Sequence, residues 1–470
     1  MELPEIFISR TKALLGAEWE AFEQALEETS PTSIRLNQRA SPPAPSPQGE
    51  GKKPVQDRTP QPPLLVERGQ GERLVPWASN AYYLDSRPSF TLDPLFHAGC
   101  YYVQEASSMF LEQVINKHIS QPVKVLDLCA APGGKSTQLV SVLPEGSLLV
   151  ANEVIRSRSY ILAENLIKWG NPHTIVTNND PSAMGKLDNF FDVIVADVPC
   201  SGEGMFRKDP GAIHEWSIHN VQLCAERQRR IIADGWPALR PGGLLIYSTC
   251  TYNREENEDN IAWICKELGA EITEEPHRFM PHRTKGEGFF IAAAKKNEPL
   301  NPLKGTLANA RNRKGAGSKS PLQGVGGKSP LGVESWLTNF SDFSIFSENN
   351  TFTAIPSIHS DDYLFLKNRL KIVTGGIPLG EMKGKDLIPA HALALSNFLS
   401  PAAFPALELD KEAALNYLRK EALQEIPPEL PKGYIIVTYL GHPLGFIKNI
   451  GNRANNLYPQ EWRIRMKISG

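Results

Sequence analysis

The sequence predicts an α/β protein, with a doubly wound parallel sheet at its centre and α+β regions before and after it. Between Val123 and Lys295, apolar runs of strand length alternate with helix-like segments, the order expected when helices cover a parallel sheet. Several of these runs are continuously apolar, as is typical of strands covered on both faces. Two low-complexity segments flank this central region and indicate that the 470-residue chain holds more than one domain.

The N-terminal region, residues 1–115, is predicted to open with an amphipathic helix over residues 3–28, followed by a strand in PTSIRLNQ. Eight prolines then fall between Pro42 and Pro63, mixed with glycine and charge. Such a composition buries too little apolar surface to offset the entropy of ordering the chain. Residues 41–72 are therefore predicted to be a disordered insertion.

The central region, residues 116–300, carries six apolar runs that we expect to be strands. They are VKVLDL, SLLVANE, TIVTNND, FDVIVADVP, GLLIYSTC and FFIAAA. After Cys250 a helix is predicted, with Asn253 as its N-cap and Glu256 completing a capping box. Its apolar stripe, which ends before Gly269, consists of Ile261, Ile264, Cys265 and Leu268.

The C-terminal part is divided into a flexible Gly/Lys-rich linker, residues 301–335, and a separate α+β domain, residues 336–470. This domain is expected to end in a hairpin, followed by a basic stretch with five basic residues and one acid from Lys448 to Lys467. Basic residues among aromatic ones suit neutralisation of an RNA backbone and stacking of its bases. The aromatic residues concerned are Phe446, Tyr458 and Trp462. The alternative is a solvated edge with ordinary core aromatics.

Composition and charge exclude several classes of protein. A net charge of −2 and a pI near 6.6 exclude a globally basic nucleic-acid binder, so any such contact must come from a local patch. The six cysteines contain no CxxC pair and no metal-ligand spacing, which favours reduced thiols and no metal site. No signal sequence or long apolar run occurs, so a cytoplasmic protein without a membrane partner is expected.

A ligand pocket is predicted at the carboxyl ends of the central strands. In VKVLDLCAAPGGKSTQL, Gly133 and Gly134 allow close backbone approach between a strand and a helix N-terminus, although a simple packing turn would look the same. The absence of GxGxxG disfavours a dinucleotide. Glu153 is placed to bind ribose hydroxyls and Asp180 to accept from an adenine amino group, although either acid alone could be a helix cap. Together these features indicate a nucleoside without a pyrophosphate.

Four sequence motifs, in a fixed order along the chain, make the functional interpretation more specific. YYVQEASSM, DLCAAPGGKS, DVIVADVPCSGEG and LRPGGLLIYSTCTYNREENE resemble the NOL/NOP/Sun family of RNA 5-methylcytosine methyltransferases, in particular its bacterial RsmF-type small-subunit rRNA enzymes. The resemblance spans about Ser33 to Lys296 and continues in IPLGEMKGKDLIPAHALAL and GNRANNLYPQEWRI. It implies a Rossmann-like domain that uses S-adenosyl-L-methionine, an N-terminal RNA-binding region and a C-terminal PUA-like RNA-binding domain. The two low-complexity segments depart from the family pattern.

The resemblance also implies roles for individual residues. Cys250 would be the thiolate that adds to carbon 6 of cytosine, Cys200 would assist breakdown of the adduct, and Asp197 would lie between base and cofactor. The strands that end at the two cysteines would be neighbours, so both sulfurs could face one pocket, and Lys135 would favour thiolate over thiol. The implied cofactor-binding residues are Cys129, Ala130, Ala131, Pro132, Gly133, Gly134, Lys135, Glu153, Asp180 and Asp197.

Alternatives remain for these assignments. Cys250 could be a buried structural thiol and Cys129 a small packing residue, since free cysteine behaves as a small hydrophobe. The expected partner is RNA, with small-subunit rRNA, within the small ribosomal subunit, favoured over tRNA, and the protein is expected to act as a monomer. A DNA substrate is disfavoured because DNA cytosine methyltransferases are expected to need only the Pro-Cys cysteine. A non-catalytic RNA-binding assembly factor is the remaining alternative, although Asp197 and Cys250 are both present.

Overall fold

The computed structural model describes residues 2–37, 73–298, 332–423 and 426–466. The predicted insertion at 41–72, and the predicted linker apart from residues 332–335, lie outside the described residues. Within these four ranges no helix is both long and apolar enough to cross a bilayer.

The N-terminal region forms a four-stranded antiparallel sheet preceded by two helices. The sheet has the order β2-β3-β1-β4. The elements are α1 (Glu5–Leu15), α2 (Trp19–Glu27), β1 (Thr32–Leu36), β2 (Arg73–Leu74), β3 (Ala81–Leu84), α3 (Pro94–His97), β4 (Tyr101–Val103) and α4 (Leu111–His118). The single helix predicted over residues 3–28 is wrong, because Gly16 adopts φ 56° and a 3-10 turn redirects the chain between α1 and α2.

The central sheet confirms all six predicted strands. They are β5 (Lys124–Asp127), β6 (Leu148–Asn152), β7 (Thr174–Thr177), β8 (Phe191–Asp197), β9 (Leu239–Thr249) and β12 (Phe289–Lys296), joined by short β10 (Ala270–Ile272) and β11 (His277–Phe279). Strands β5 to β9 run parallel in the order β9-β8-β5-β6-β7, and β12 pairs antiparallel with β9. This is the order of a doubly wound sheet.

Helices cover both faces of this sheet. They are α5 (Gly134–Val142), α6 (Arg156–Trp169), α7 (Pro181–Gly185), α8 (Pro210–Glu215), α9 (Ile218–Gly235) and α10 (Glu258–Leu268). Helices α4 and α5 pack on one face, while α9 and α10 pack on the other. Burial on both faces explains why the strands are continuously apolar in sequence.

The helix after Cys250 begins later than the sequence predicts. Helix α10 starts at Glu258, and the expected capping pair lies in the turn ahead of it, where Asn253 Oδ1 accepts from the backbone N–H of Glu256 at 2.9 Å. The apolar stripe is confirmed, with Ile261 and Ile264 buried and with Cys265 and Leu268 packed against the core. Gly269, at φ 67°, ends the helix in the left-handed conformation.

The C-terminal region contains two further four-stranded sheets, ordered β13-β14-β16-β17 and β18-β19-β20-β21. Its strands are β13 (Phe343–Glu348), β14 (Thr351–Pro356), β15 (Ile372–Gly375), β16 (Ile377–Lys383), β17 (Asp386–Pro389), β18 (Ala406–Glu408), β19 (Gly433–Tyr439), β20 (His442–Asn449) and β21 (Ala454–Asn456). Its helices are α11 (Ser360–Lys367), α12 (His391–Ala394) and α13 (Lys411–Leu418). The predicted terminal hairpin is confirmed as β19 and β20.

This region does not pack as a separate unit, contrary to the sequence prediction. Strand β15 pairs antiparallel with β7 and becomes the outer strand of the nine-stranded central sheet. Tyr363 and Leu366 of α11 lie in the same apolar core as the central strands. The edge of β7 would otherwise leave its backbone groups unpaired, and β15 satisfies them.

Candidate active site

The two candidate cysteines meet at the carboxyl ends of adjacent parallel strands. In the register of β8 and β9, Asp197 lies opposite Ser248, so the chain brings Cys200 and Cys250 to the same edge of the sheet. Their Sγ atoms are 3.1 Å apart, both side chains are partly exposed, and both thiols are free. The hydrogen bond to Cys250, together with burial, raises the pKa of Cys200 well above its ordinary value. Either sulfur can donate in this contact.

A lysine–aspartate pair lies beside the thiols. Lys135, at the start of α5, places its Nζ 2.8 Å from Oδ2 of Asp197, and the hydroxyl of Ser248 donates to Oδ1 at 2.8 Å. Burial alone would lower the pKa of Lys135, but the Asp197 carboxylate outweighs it and raises that pKa above its ordinary value. Lys135 thus remains an ammonium, and its positive charge also interacts electrostatically with Cys250.

A buried carboxylate on the Cys200 loop binds the loop that carries Cys250. Glu203 is 2% exposed, and its Oε2 accepts from the backbone N–H groups of Tyr252 and Asn253, both at 2.9 Å. The hydroxyl of Thr251, the residue next to Cys250, donates to the same oxygen at 2.7 Å. One carboxylate oxygen therefore collects three donors from this short loop.

A second buried carboxylate makes the reciprocal connection. Glu256, on the Cys250 loop, accepts at Oε2 from the backbone N–H of Ser201 at 2.9 Å and from Gln228 Nε2 at 2.7 Å. Its Oε1 accepts from the hydroxyl of Ser201 and from Asn253 Nδ2. Burial raises the pKa of Glu256. We name Glu203 and Glu256 the glutamate brace.

Sequence reasoning missed the glutamate brace. It gave Glu256 only a capping role and gave Glu203 none. The available signal was positional, since each acid follows a candidate cysteine within six residues, in PCSGEG and in TCTYNREE.

The loop after β5 is fixed by hydrogen bonds to its neighbours. Ala130 N–H donates to the carbonyl of Asn152 at 2.8 Å, and the carbonyls of Ala131 and Pro132 accept from Arg158 and Asn165, each at 2.8 Å. Gly133 adopts φ 118°, and a Cβ there would lie 3.3 Å from Leu162 Cδ1. Gly134 then opens helix α5. The backbone is therefore held in a conformation that favours glycine.

Asp127 is a further candidate that sequence reasoning did not single out. It is fully buried at the end of β5, and its Oδ2 accepts from the hydroxyl of Ser136 at 2.6 Å. Its Oδ1 has no hydrogen-bond partner among the described residues. Burial raises its pKa from 3.8 to about 7. A buried carboxylate oxygen without a donor fits a site that receives a hydrogen-bonding ligand.

The other predicted cofactor residues occupy different environments. Glu153 is 4% exposed and follows β6, with Oε1 accepting from the backbone N–H of Ile155 at 2.8 Å and Arg158 3.6 Å from Oε2. Asp180 caps α7, and the hydrogen bonds from Ser182 lower its pKa. Its capping role was the alternative in the sequence analysis. Cys129 is partly buried against the core, and burial raises its pKa above the ordinary value.

The aromatic residues of the C-terminal basic stretch do not form a stacking surface, so this prediction is wrong for two of them. Phe446 and Tyr458 are each 1% exposed and belong to apolar cores. Trp462 is partly buried, with its ring 5.0 Å from that of His391 and 5.4 Å from Lys168 Nζ. Along this stretch the exposed basic side chains are Arg453, Arg463 and Arg465, while Lys467 lies outside the described residues.

Three family models match this chain. The model described as 16S rRNA methyltransferase RsmB/F matches residues 114–295. The N-terminal domain of 16S rRNA methyltransferase RsmF matches residues 58–106, and the methyltransferase RsmF PUA domain matches residues 404–464.

Curated relatives match along most of the chain. Ribosomal RNA small subunit methyltransferase F of Enterobacter sp. (strain 638) is 31% identical over 418 residues, which cover 82% of this chain and 83% of that protein. The protein of the same name from Aliivibrio fischeri (strain MJ11) is also 31% identical, with 82% and 85% covered.

Solved structures share the fold. A methyltransferase homolog protein from Pyrococcus horikoshii is 28% identical with a TM-score of 0.51, covering 62% of this chain and 95% of that chain. NSun6 from Pyrococcus horikoshii with SFG is 20% identical with a TM-score of 0.51, covering 63% and 98%.

Proposed function

This chain belongs to the 16S rRNA methyltransferase RsmB/F family, and from that premise we propose that it forms 5-methylcytosine in small-subunit rRNA through a covalent cysteine adduct. It is an S-adenosyl-L-methionine-dependent RNA methyltransferase. The observation that carries the cytosine chemistry is the pair of free thiols, 3.1 Å apart, beside the Lys135–Asp197 pair.

The residues at the carboxyl ends of β5 and β6 fit this cofactor. Oδ1 of Asp127 is a buried acceptor with no donor in the described part of the chain, and Gly133 lets a ligand approach the loop backbone closely. Glu153 follows the next strand, where α/β sheets bind ribose hydroxyls. When bound, S-adenosyl-L-methionine supplies an electrophilic methyl group carried on a sulfonium.

Cys250 is assigned the nucleophilic role. Carbon 5 of cytosine is too weak a nucleophile to take a methyl group unaided, and a thiolate that adds to carbon 6 gives carbon 5 enamine character. The Lys135 ammonium interacts electrostatically with Cys250, and the sulfur of Cys200 lies 3.1 Å from that of Cys250. Asp197 holds the ammonium of Lys135 through the 2.8 Å contact.

Cys200 is assigned to the release step. After carbon 5 has gained the methyl group, a base takes its proton, the electron pair of that C–H bond re-forms the double bond between carbons 5 and 6, and the bond between carbon 6 and the sulfur of Cys250 breaks. The sulfur of Cys250 departs as a thiolate, and the thiol of Cys200 is placed to donate a hydrogen bond to it. Without that donor the leaving sulfur is less stable, and the adduct persists.

The RNA contacts follow from the position of the site. The thiols lie at a sheet edge, so the target cytosine must be unpaired or flipped out of its helix. We assign RNA binding to the N-terminal region, residues 1–115, and to the PUA-like region, residues 336–470, on either side of the catalytic region, residues 116–300. The enzyme acts, on this proposal, as a cytoplasmic monomer on the RNA of the small ribosomal subunit.

The test uses single cysteine variants with an unmodified small-subunit rRNA transcript. Cys250→Ala should abolish methyl transfer while S-adenosyl-L-methionine binding is retained. Cys200→Ala should accumulate a protein–RNA complex that survives denaturant. Cys265→Ala, which alters a partly exposed thiol outside the site, serves as the matched control and should behave as wild type. Turnover by Cys250→Ala would refute the nucleophile assignment.

The substrate is tested separately by bisulfite sequencing of total RNA from cells with and without this protein. A single class of cytosine in small-subunit rRNA should lose its protection from conversion. Loss of protection in tRNA instead would overturn the rRNA assignment, and no change in any RNA would favour a non-catalytic assembly factor.

A further inference from the structure

The glutamate brace connects the two cysteine loops in a crossed pattern. Glu203 belongs to the Cys200 loop, yet it accepts three hydrogen bonds from the loop that carries Cys250. Glu256 belongs to the Cys250 loop, yet it accepts both the backbone N–H and the hydroxyl of Ser201, the residue next to Cys200. Each carboxylate therefore holds the loop of the other cysteine.

These bonds lie where they control the sulfur positions. Glu203 and Glu256 are 2% and 0% exposed, so water cannot replace a lost partner without a rearrangement. The backbone of the two loops is also in direct contact, since Gly204 N–H donates to the carbonyl of Cys250 at 2.9 Å. A Cβ at Gly204 would lie 2.9 Å from that carbonyl oxygen. The two loops are therefore in direct backbone contact beside the cysteines.

We propose that the two members of the glutamate brace are positioning residues for opposite halves of the reaction, and this inference rests on the proposed function. Glu203 fixes Cys250 for attack on carbon 6, and Glu256 fixes Cys200 for release of the adduct. Neither carboxylate reaches the sulfurs themselves in the hydrogen-bond network, so both act through the residues that flank the cysteines.

The crossed pattern predicts opposite phenotypes for two similar substitutions. In Glu256→Gln, the amide nitrogen replaces either Oε2, where it faces the N–H of Ser201 and the amide of Gln228, or Oε1, where it faces the hydroxyl of Ser201 and the amide of Asn253. In either orientation Ser201 is held less tightly, so Cys200 shifts. Adduct breakdown should slow by about 100-fold, the cost of a displacement of about 1 Å, and a covalent complex should accumulate. In Glu203→Gln both oxygen positions face donors, the Cys250 loop at Oε2 and Trp216 Nε1–H at Oε1, so in either orientation the neutral amide holds the Cys250 loop more weakly than the carboxylate does. Adduct formation should fall by a similar factor, and no complex should accumulate.

The experiment measures covalent complex and methyl transfer in parallel, with a small-subunit rRNA transcript and S-adenosyl-L-methionine, after quenching in denaturant. Asp192→Asn is the matched control, because Asp192 also accepts from a backbone N–H, that of Lys124 at 2.7 Å, and lies at the opposite end of β8 from the cysteines. It should leave both readouts at wild-type values. A purely structural role would lower both readouts together in Glu256→Gln as well, where the proposal instead predicts that covalent complex accumulates.

Milder substitutions keep the test decisive if a glutamate variant does not fold. Ser201→Ala removes one donor to Glu256, and Thr251→Val removes one donor to Glu203. These variants should show the same opposite pattern, at about 10-fold, the effect of losing one hydrogen bond to a charged acceptor. Binding of S-adenosyl-L-methionine should be unchanged in both.

The result of Cys200→Ala separates failure of this inference from failure of the proposed function. If that variant forms no covalent complex, the covalent mechanism itself fails. If it forms one while both glutamate variants lose activity without a difference in complex, the mechanism stands and the positioning inference is overturned.

Discussion

The clearest physical test of the candidate cofactor site is the pH dependence imposed by Asp127. This carboxyl group is fully buried, and burial raises its pKa from 3.8 to about 7. The raised pKa means that the folded protein prefers the protonated form. Its favourable contribution to stability is therefore complete below pH 3.8 and is lost as the pH rises through about 7.

The perturbation is Asp127→Asn, which keeps the shape of the side chain and removes its titration. One pKa unit corresponds to about 1.4 kcal/mol, so the full displacement is equivalent to about 4 kcal/mol. Between pH 5 and pH 8, the stability that the wild type loses through this group is about 2–3 kcal/mol. The variant should lack this loss and gain stability relative to wild type as the pH rises.

The assay is urea unfolding of the cofactor-free protein, followed by tryptophan fluorescence at several pH values. The difference in free energy of unfolding, wild type minus variant, should decrease by about 2–3 kcal/mol between pH 5 and pH 8. Ser136→Ala provides an internal control, because the Ser136 hydroxyl lowers the pKa of Asp127 and its removal should extend the loss to higher pH. A difference that stays constant across the range would refute the reasoning.

Three further predictions concern packing and backbone geometry. Arg207→Met should lower the free energy of unfolding in urea by about 3–5 kcal/mol, because it leaves the buried carboxylate of Glu287, which is 3% exposed, without its cation. An effect below about 1 kcal/mol would contradict this. Tyr458→Phe should change stability by less than about 0.5 kcal/mol, since its hydroxyl has no partner in the described part of the chain. Tyr417→Phe, which loses a hydrogen bond to a backbone carbonyl of β20, should cost about 1 kcal/mol. Equal losses of stability in Tyr417→Phe and Tyr458→Phe would contradict this difference. A fall in RNA affinity in Tyr458→Phe would also contradict it, because the side chain of Tyr458 is buried. Gly133→Ala should weaken S-adenosyl-L-methionine binding about 10-fold by calorimetry, because φ 118° strains any side chain; wild-type affinity would oppose it.

The central sheet was predictable because its strands are continuously apolar and regularly spaced, and the signal is local. Strand β15 was not predictable in the same way. It has four residues, and it pairs with β7 across a gap of many intervening elements. Most of its residues are only partly buried, so their hydrophobicity does not indicate that β7 is the strand with which they pair. Pairing over such a distance is decided by tertiary packing rather than by local sequence.

The candidate site, like the fold, was predictable only in part. The meeting of Cys200 and Cys250 follows from strand order, and the structure brings their sulfurs to 3.1 Å. The glutamate brace and the buried Asp127 were not predicted, because a glutamate that accepts buried hydrogen bonds looks the same in sequence as a solvated one. Only the three-dimensional structure shows which backbone N–H groups donate hydrogen bonds to a given carboxylate.

The position of β15 also affects how the protein can be made. Strand β7 emerges early in synthesis, but its outer neighbour is encoded about 200 residues later, which at about 5–20 residues per second means a delay of about 10–40 s. During that interval a nascent chain exposes an unpaired strand edge to the cytosol, and a gene fragment that stops before β15 exposes it permanently. Expression of the catalytic region alone should therefore give aggregated protein, and protection of the nascent edge is a requirement for a good yield of the full chain.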